Sequence, residues 1–492
     1  MAFRILIAIN YSAGENTNGD SGFAFTAQLI LSLLARDSSL HFYVLAPQDK
    51  SEEWTTRLSR PCVTIIPVPM VPRLHGGDFQ FDPAELYRRF DFRRYDVDLL
   101  FLNQPELAPG FLQFFNRQTF HNVPAVCYVH WFDTRRPSTP KQLHHRPALI
   151  AALSGIVVSA ATGCNSEFGR ERILQQARQW FNSDTIEEMA TKLVIFPPVV
   201  DVNELLAFRV DGCSKKVQLL INHRLLKYTG VRSLLTHFLP QMATRRRDFN
   251  VLATNPSKVR LPGSLTKVPW LCVKTLDRDN YLAALWKSDI VLAPHRAAHW
   301  SISTLEAICA QTVPLMNCET FFPEMMKPII EGMSAGKRRH IESRWFYFRG
   351  NFSKRLSELI DKIDDERELA VEIGRRARLH YSWDAWSERW IELLHSVDRQ
   401  VPRMSEQNPS MQKILKMIRD EGSLPKQELL RRMRWTPKTR ALAWTSFRKL
   451  LREAAPDDPR QSEVVYRLVR RRSKPAGKRT RLHVARKPGS RV

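Results

Sequence analysis

Eleven short, almost continuously apolar runs recur between helical patterns in the first 320 residues. Six come first: "RILIAI" (4–9), "HFYVLA" (41–46), "VTIIPV" (63–68), "DLLFLN" (98–103), "AVCYVHW" (125–131) and "GIVVSA" (155–160). After Asp201 the rhythm restarts with "VQLLIN" (217–222), "FNVLAT" (249–254), "WLCVKT" (270–275), "DIVLAP" (289–294) and "VPLMNC" (313–318). A strand with one face in water alternates apolar and polar residues, and these runs do not. They predict parallel strands covered by helices on both faces, in an α/β fold. Because the series runs twice, two tandem Rossmann-like domains are expected, over 1–200 and 201–400. The proline-bearing "FPPVVDVNE" (196–204) would be the hinge between them. Such sheets bind ligands beyond the carboxyl ends of their strands, which places the cleft between the domains. Residues 353–397 read as helical and would return across both domains. The helical spacing of Trp383, Trp386 and Trp390 there is read as core packing.

The length, 492 residues, exceeds one core and fits about three domains. The net charge of +25 is unevenly placed: from Met411 onward 24 Lys/Arg face 7 Asp/Glu, a net +17. A basic block at one end of an otherwise ordinary chain points to a polyanionic partner, nucleic acid or a membrane surface. Seven scattered cysteines without a C-x-x-C pair fit reduced thiols in a cytoplasm, not disulfides or a zinc site. The N-terminal apolar run shows no cleavage site and is read as a first strand. The longest uncharged apolar run, "ALIAALSGIVVSAA" (148–161), is too short to span a bilayer.

Residues 401–410 read as a linker, and 411–472 as a small basic domain of three helices and a strand pair with a winged-helix outline. Its third helix carries Lys438, Arg440, Arg448 and Lys449, and the strand ends in Arg470, Arg471 and Arg472. These cations fit phosphate-backbone contact, with groove insertion by the helix. The tail 473–492 is too polar to pack and is expected to be disordered when free; a plain solvated or targeting segment is the alternative.

Four places in the sheet-forming part carry chemistry. "NTNGDSGFAF" (16–25) sits between a strand and a helix, where Gly19 and Gly22 permit close backbone approach to an anion. "YVHWFDTRR" (128–136) brings His130 to a strand end facing the cleft, or is simply a loop histidine. "INHRLLKYTG" (221–230) sets Arg224 and Lys227 beside a helix start. There they would hold a pyrophosphate and stabilise charge developing on it, unless they are only solvated cations. "HRAAHWSISTLEAICAQ" (295–311) puts Ser301, Ser303 and Thr304 at a helix start, with Glu306 one turn in, able to accept hydrogen bonds from a ribose diol.

In this order the four places resemble the GT-B glycosyltransferases, in particular the large retaining group called family four. The shared "GRL…KG" appears as "NHRLLKYTG", the "SD" strand as "WKSDIVLAPHR", and "LEAMA.G.P" as "LEAICAQTVP". An "NSE" segment is matched by "GCNSEFGRERI" (163–173), and a proline-glutamate by "FFPEM" (321–325). The resemblance covers roughly residues 1–400. It implies a nucleotide-diphosphate sugar held by the second sheet, with Arg224 and Lys227 on the diphosphate and Glu306 on the ribose. His130 and the Gly19–Gly22 segment would approach the sugar. It also implies retention of anomeric configuration and no metal or other cofactor, although Asp20 or Asp133 would be available as a base for an inverting reaction.

The chain departs from that pattern at three places. Where the family has a sugar-contacting glutamate there is Ala298, and two motif glycines are His299 and Gln311. The grip on the nucleotide is otherwise intact, so an altered sugar pocket is expected, with His299 taking over a hydrogen bond to a sugar hydroxyl. With the basic C-terminal block, the acceptor is expected to be a hydroxyl on a modified base of DNA (hydroxymethylpyrimidine-type, as in phage), flipped into the cleft. A modified tRNA base is the alternative acceptor. A non-catalytic nucleic-acid-binding regulator and a membrane-surface lipid glycosyltransferase are the alternatives of other classes.

Overall fold

The computed structural model describes residues 2–8, 21–72, 79–81, 97–119, 123–130, 146–210, 216–223, 229–255, 268–295, 298–348 and 350–400, with Phe92, Tyr95, Phe132, Leu225 and Gly263–Leu265 between them. The basic block from residue 411 lies outside them, including Lys438, Arg440, Arg448, Lys449, Arg470, Arg471 and Arg472.

The first sheet is built from β1 (Phe3–Ala8), β2 (Leu40–Pro47), β3 (Val63–Val68), β6 (Leu99–Leu102), β7 (Ala125–Val129), β8 (Ala161–Cys164) and β9 (Leu193–Ile195). A two-stranded antiparallel ribbon, β4 (Met70–Pro72) and β5 (Phe79–Phe81), stands apart. The second sheet holds β10 (Val217–Ile221), β11 (Phe249–Thr254), β12 (Leu271–Lys274), β13 (Ile290–Ala293), β14 (Val313–Asn317) and β15 (Phe346–Tyr347). The orders are β3-β2-β1-β6-β7-β8-β9 and β12-β11-β10-β13-β14-β15, every pair parallel. In each sheet the order reverses beside the first strand, between β1 and β6 and between β10 and β13, which opens a crevice at the strand ends. The central runs are strands buried on both faces, since β6, β7, β13 and β14 have no exposed residue, while the edge strands β3 and β12 keep exposed residues.

The helices that matter below are α1 (Ser21–Arg36), α2 (Arg146–Val158), α3 (Glu167–Ala177), α4 (Arg278–Trp286), α5 (Ile302–Cys309), α6 (Phe322–Ile330), α7 (Ile363–His380) and α8 (Trp383–Gln400). One predicted strand is corrected: "GIVVSA" (155–160) closes α2, and the strand follows at Ala161. The apolar stretch from Ala148 is hydrophobic all round, so periodicity alone does not separate a buried helix from a buried strand. The helix also needs Gly155, because a Cβ there would sit 1.8 Å from the Pro105 carbonyl oxygen.

The two sheets share a detail that explains the "SD" strand. Asp289, just before β13, accepts the Gln218 N–H of β10 at 2.7 Å, and its other oxygen receives the Arg367 guanidinium of α7 at 2.7 and 3.0 Å. Asp98, before β6, accepts the Arg4 N–H of β1 in the same way. A carboxylate at this position pins the strand that starts each sheet to the one beyond the reversal.

The chain passes between the sheets twice, at 196–201 and at 381–383, and the crossings lie side by side, with Val200 donating to the Tyr381 carbonyl at 2.9 Å. Helix α8 then packs on α1, where Asp384 pairs with Arg36 at 2.9 Å. Its tryptophan stripe is core: Trp390 is 1% exposed, its ring 4.0 Å from Phe196 and 5.8 Å from both Tyr128 and Phe101.

Candidate functional site

The crevice of the second sheet is formed by the segments leaving β10 and β13 and by the start of α5. Gly230, with φ of 80°, opens the helix after β10; a Cβ there would meet the Pro294 carbonyl oxygen at 2.6 Å, so the two segments touch backbone to backbone. Ser301 is the N-cap of α5, its Oγ accepting the Thr304 N–H at 3.2 Å. Trp300 anchors that loop by donating its indole N–H to the Pro198 carbonyl at 3.1 Å.

Beneath this helix start lie two histidines that sequence reasoning passed over. His223 directly follows Asn222 at the end of β10, and His295 follows Pro294 at the end of β13. Both are buried, with ring centroids 4.0 Å apart in an edge-on contact. His223 Nδ1 is 2.9 Å from Ser303 Oγ, and Asn222 donates to the Ser303 carbonyl at 2.6 Å and lies 3.3 Å from the Tyr281 hydroxyl. Burial pushes both imidazoles down, His295 to about 4, and the neighbouring His295 ring pushes His223 further the same way. Their signal in the sequence was position alone: each stands within two residues of a strand end at the order reversal.

Glu306 is in place but already engaged. Its Oε1 receives Arg278 Nη1 at 2.7 Å and its Oε2 receives the Tyr281 hydroxyl at 2.8 Å, both from α4. Arg278 in turn forks onto Glu204 at 2.6 and 3.1 Å. Each Glu306 oxygen keeps a second lone pair, so the carboxylate is a pre-aimed acceptor, held by partners rather than by solvent.

The "NSE" and proline-glutamate segments meet across the crevice. Ser166 caps α3, accepting the Gly169 N–H at 2.9 Å while its own hydroxyl donates to the His299 carbonyl at 2.7 Å. Glu324 of α6 accepts the next two free amides, Glu167 N–H at 2.6 Å and Phe168 N–H at 3.0 Å. A carboxylate at a helix N-terminus satisfies orphan donors and faces the positive end of the dipole. The start of α3 is therefore clamped to the second sheet, and burial raises the Glu324 carboxyl despite those amides. A cavity of about 320 Å³ opens beside this clamp, lined by Arg172 of α3 and by Ser233, Asn317, Glu319, Thr320 and Tyr347.

His130 stands at the end of β7, its carbonyl accepting Asn165 Nδ2 at 2.9 Å and its ring edge-on to Phe25 and Tyr128. Gly22 lies in the first turn of α1, where its carbonyl accepts the Thr26 hydroxyl. The sequence-predicted Ser301, Ser303, Thr304 and Glu306 gather at α5. His299 is buried in the clamp, its ring 6.4 Å from that of Phe168. Ala298 packs partly buried against the apolar core. Gln311 takes a φ of 67°, so the backbone turn of the motif glycine persists without the glycine. Gly19, Asp20, Asp133, Arg224 and Lys227 lie outside the described residues. Among the described residues no helix is long and apolar enough to cross a membrane.

No protein-family model and no curated protein matches the sequence. Solved structures do match the fold. A glycosyltransferase from Rickettsia africae aligns with 81% of this chain and 100% of its own, at 12% identity and a TM-score of 0.56. Sucrose-phosphate synthase from Thermosynechococcus elongatus aligns with 81% and 100% at 11% identity and a TM-score of 0.58. Anabaena HepE in complex with UDP aligns with 80% and 100% at 12% identity and a TM-score of 0.54. These neighbours are GT-B glycosyltransferases, and the two parallel sheets with their crossing helix α8 are the GT-B fold.

Proposed function

We propose that the chain is a glycosyltransferase that takes its sugar from a nucleotide-diphosphate donor bound at the start of α5. The observation that carries this reading is the capped start of α5, with Ser301, Ser303 and Thr304, set at the strand-order reversal above Glu306. The positive end of the helix dipole there favours a diphosphate, and one turn on, the remaining lone pairs of Glu306 would accept hydrogen bonds from a ribose diol. Across the crevice His130 and the start of α3 belong to the other sheet, so a sugar on the diphosphate would lie between two domains. Support also comes from structural neighbours solved with UDP, UDP-glucose or UDP-2-fluoro glucose.

Arg224 and Lys227, one and four residues after His223 in the sequence, would supply the positive charge that a leaving diphosphate needs, the work a metal does elsewhere. The loss of a carboxylate at Ala298 alters the sugar end of the site, and transfer with retention is the outcome the resemblance implies. For the acceptor, the net +17 after residue 410 favours a nucleic acid, with a modified DNA base ahead of tRNA.

The test incubates the full chain with radiolabelled nucleotide sugars and with hydroxymethylated DNA, unmodified DNA, bulk tRNA or anionic lipid vesicles. Label in a nucleic acid is expected. Label in lipid would replace the acceptor assignment, and donor binding without any transfer would make the protein a sensor instead of an enzyme.

A further inference from the structure

We propose that His223 is a positioning residue that couples binding of the donor diphosphate to uptake of one proton. The inference rests on the donor reading above and adds a property of this chain's own, since the motif that "NHRLLKYTG" resembles has glycine where His223 stands.

The geometry is a relay of one ring and one hydroxyl. Ser303 lies in the first turn of α5, half-buried, with its Oγ 2.9 Å from His223 Nδ1. With the single ring proton on Nε2, the side of Thr304 Oγ1 at 3.5 Å, the neutral ring meets Ser303 with its acceptor nitrogen, Nδ1. In that state the Ser303 hydroxyl gives its proton to the imidazole and offers an incoming anion only lone pairs. Once His223 is protonated, both ring nitrogens donate, Nδ1–H points to Ser303 Oγ, and the Ser303 proton is released to face the anion. The same proton that charges the ring thus turns a repelling lone pair into a donor at the helix start.

The surroundings favour the neutral ring until an anion arrives. His223 is buried, and His295 stands against it with ring centroids 4.0 Å apart. Thr304 Oγ1, 3.5 Å from Nε2, and Asn222 are uncharged. Glu306 on α5 and Arg278 and Tyr281 on α4 are engaged with one another one turn away. Among the described residues, no carboxylate acts on either ring. An anion at the helix start therefore supplies the missing counter-charge. Only one proton enters the pair, because two imidazolium rings at this separation repel.

Calorimetry of the full chain with nucleotide sugars, UDP-glucose first, tests this. Their diphosphate is a diester with no proton of its own to exchange near neutrality, so any uptake belongs to the protein. Titrations at about pH 7 in buffers of different ionisation enthalpy should show close to one proton taken up per ligand. Affinity should rise by up to about tenfold per unit as pH falls from about 8 to 6. Ser303→Ala, on the accessible side of the relay, should cut the uptake to below about half and flatten the pH profile. His223→Asn should do the same. Binding without proton uptake, or uptake unchanged in Ser303→Ala, would overturn the relay and leave the donor site standing. If no nucleotide sugar binds, the donor reading fails and the relay falls with it.

Discussion

Removing Arg278 and Glu306 together should destabilise the second domain less than the sum of removing each alone. Glu306 is the buried partner, its side chain 8% exposed, while Arg278 keeps 36% of its side chain in solvent. At 2.7 Å and an effective dielectric of about 20, the attraction is about 6 kcal/mol before desolvation. Burial of Glu306 offsets much of it, and the exposure of Arg278 screens more, which leaves a coupling of about 2 kcal/mol. Arg278→Ala leaves the carboxylate with the Tyr281 hydroxyl alone and should cost about 3 kcal/mol. Glu306→Ala loses less, because Arg278 retains its fork onto Glu204 at 2.6 and 3.1 Å. The double variant removes the stranded charge and should recover about 2 kcal/mol over the sum of the single losses. Urea unfolding followed by tryptophan fluorescence and by circular dichroism gives all four corners of this cycle. Additive losses, with coupling below about 0.5 kcal/mol, would refute the claim that Arg278 is what permits a charged Glu306 in the core.

Three further outcomes follow from the structure. Because burial lowers the His295 imidazole to about 4, the unfolded chain binds a proton that the native one refuses. Stability should therefore fall as pH drops from about 6.5 to 4, by roughly 3 kcal/mol from this ring, and be flat in this respect above pH 7. Urea midpoints measured across that range check it, and His295→Asn should lessen the slope. Gln311→Gly should stabilise by about 1 kcal/mol, since the native φ of 67° costs any side chain and costs glycine little; thermal unfolding of the two proteins decides it. Trp390→Ala should cost about 4 kcal/mol, because the ring is 1% exposed and bridges α8 to Phe196 and β7. Limited proteolysis of the first domain should then begin at lower denaturant, and unchanged resistance would contradict the core role of the stripe.

The strands were legible because burial on both faces writes an unbroken apolar run, as at "DIVLAP" and "VPLMNC", and parallel pairing follows from the helices between them. The sequence alone also determined the helix start at Ser301–Thr304 and the basic end of the chain, each a local property of a few residues, whereas the positive φ of Gln311 and the cap at Ser301 came from the structure. It misplaced the strand at 155–160, because a helix buried on all sides has no period to betray it; only the contact of Gly155 with the Pro105 backbone decides. Residues far apart in the chain were beyond it for a different reason. Glu324 meets the amides of Glu167 and Phe168 across more than 150 positions, Arg278 reaches both Glu204 and Glu306, and His223 meets His295. Pairings of that kind depend on how strand order brings segments together, and strand order is fixed by packing of the whole sheet. The tertiary structure alone therefore decided what Glu306 is bonded to and that two histidines lie beneath the helix start.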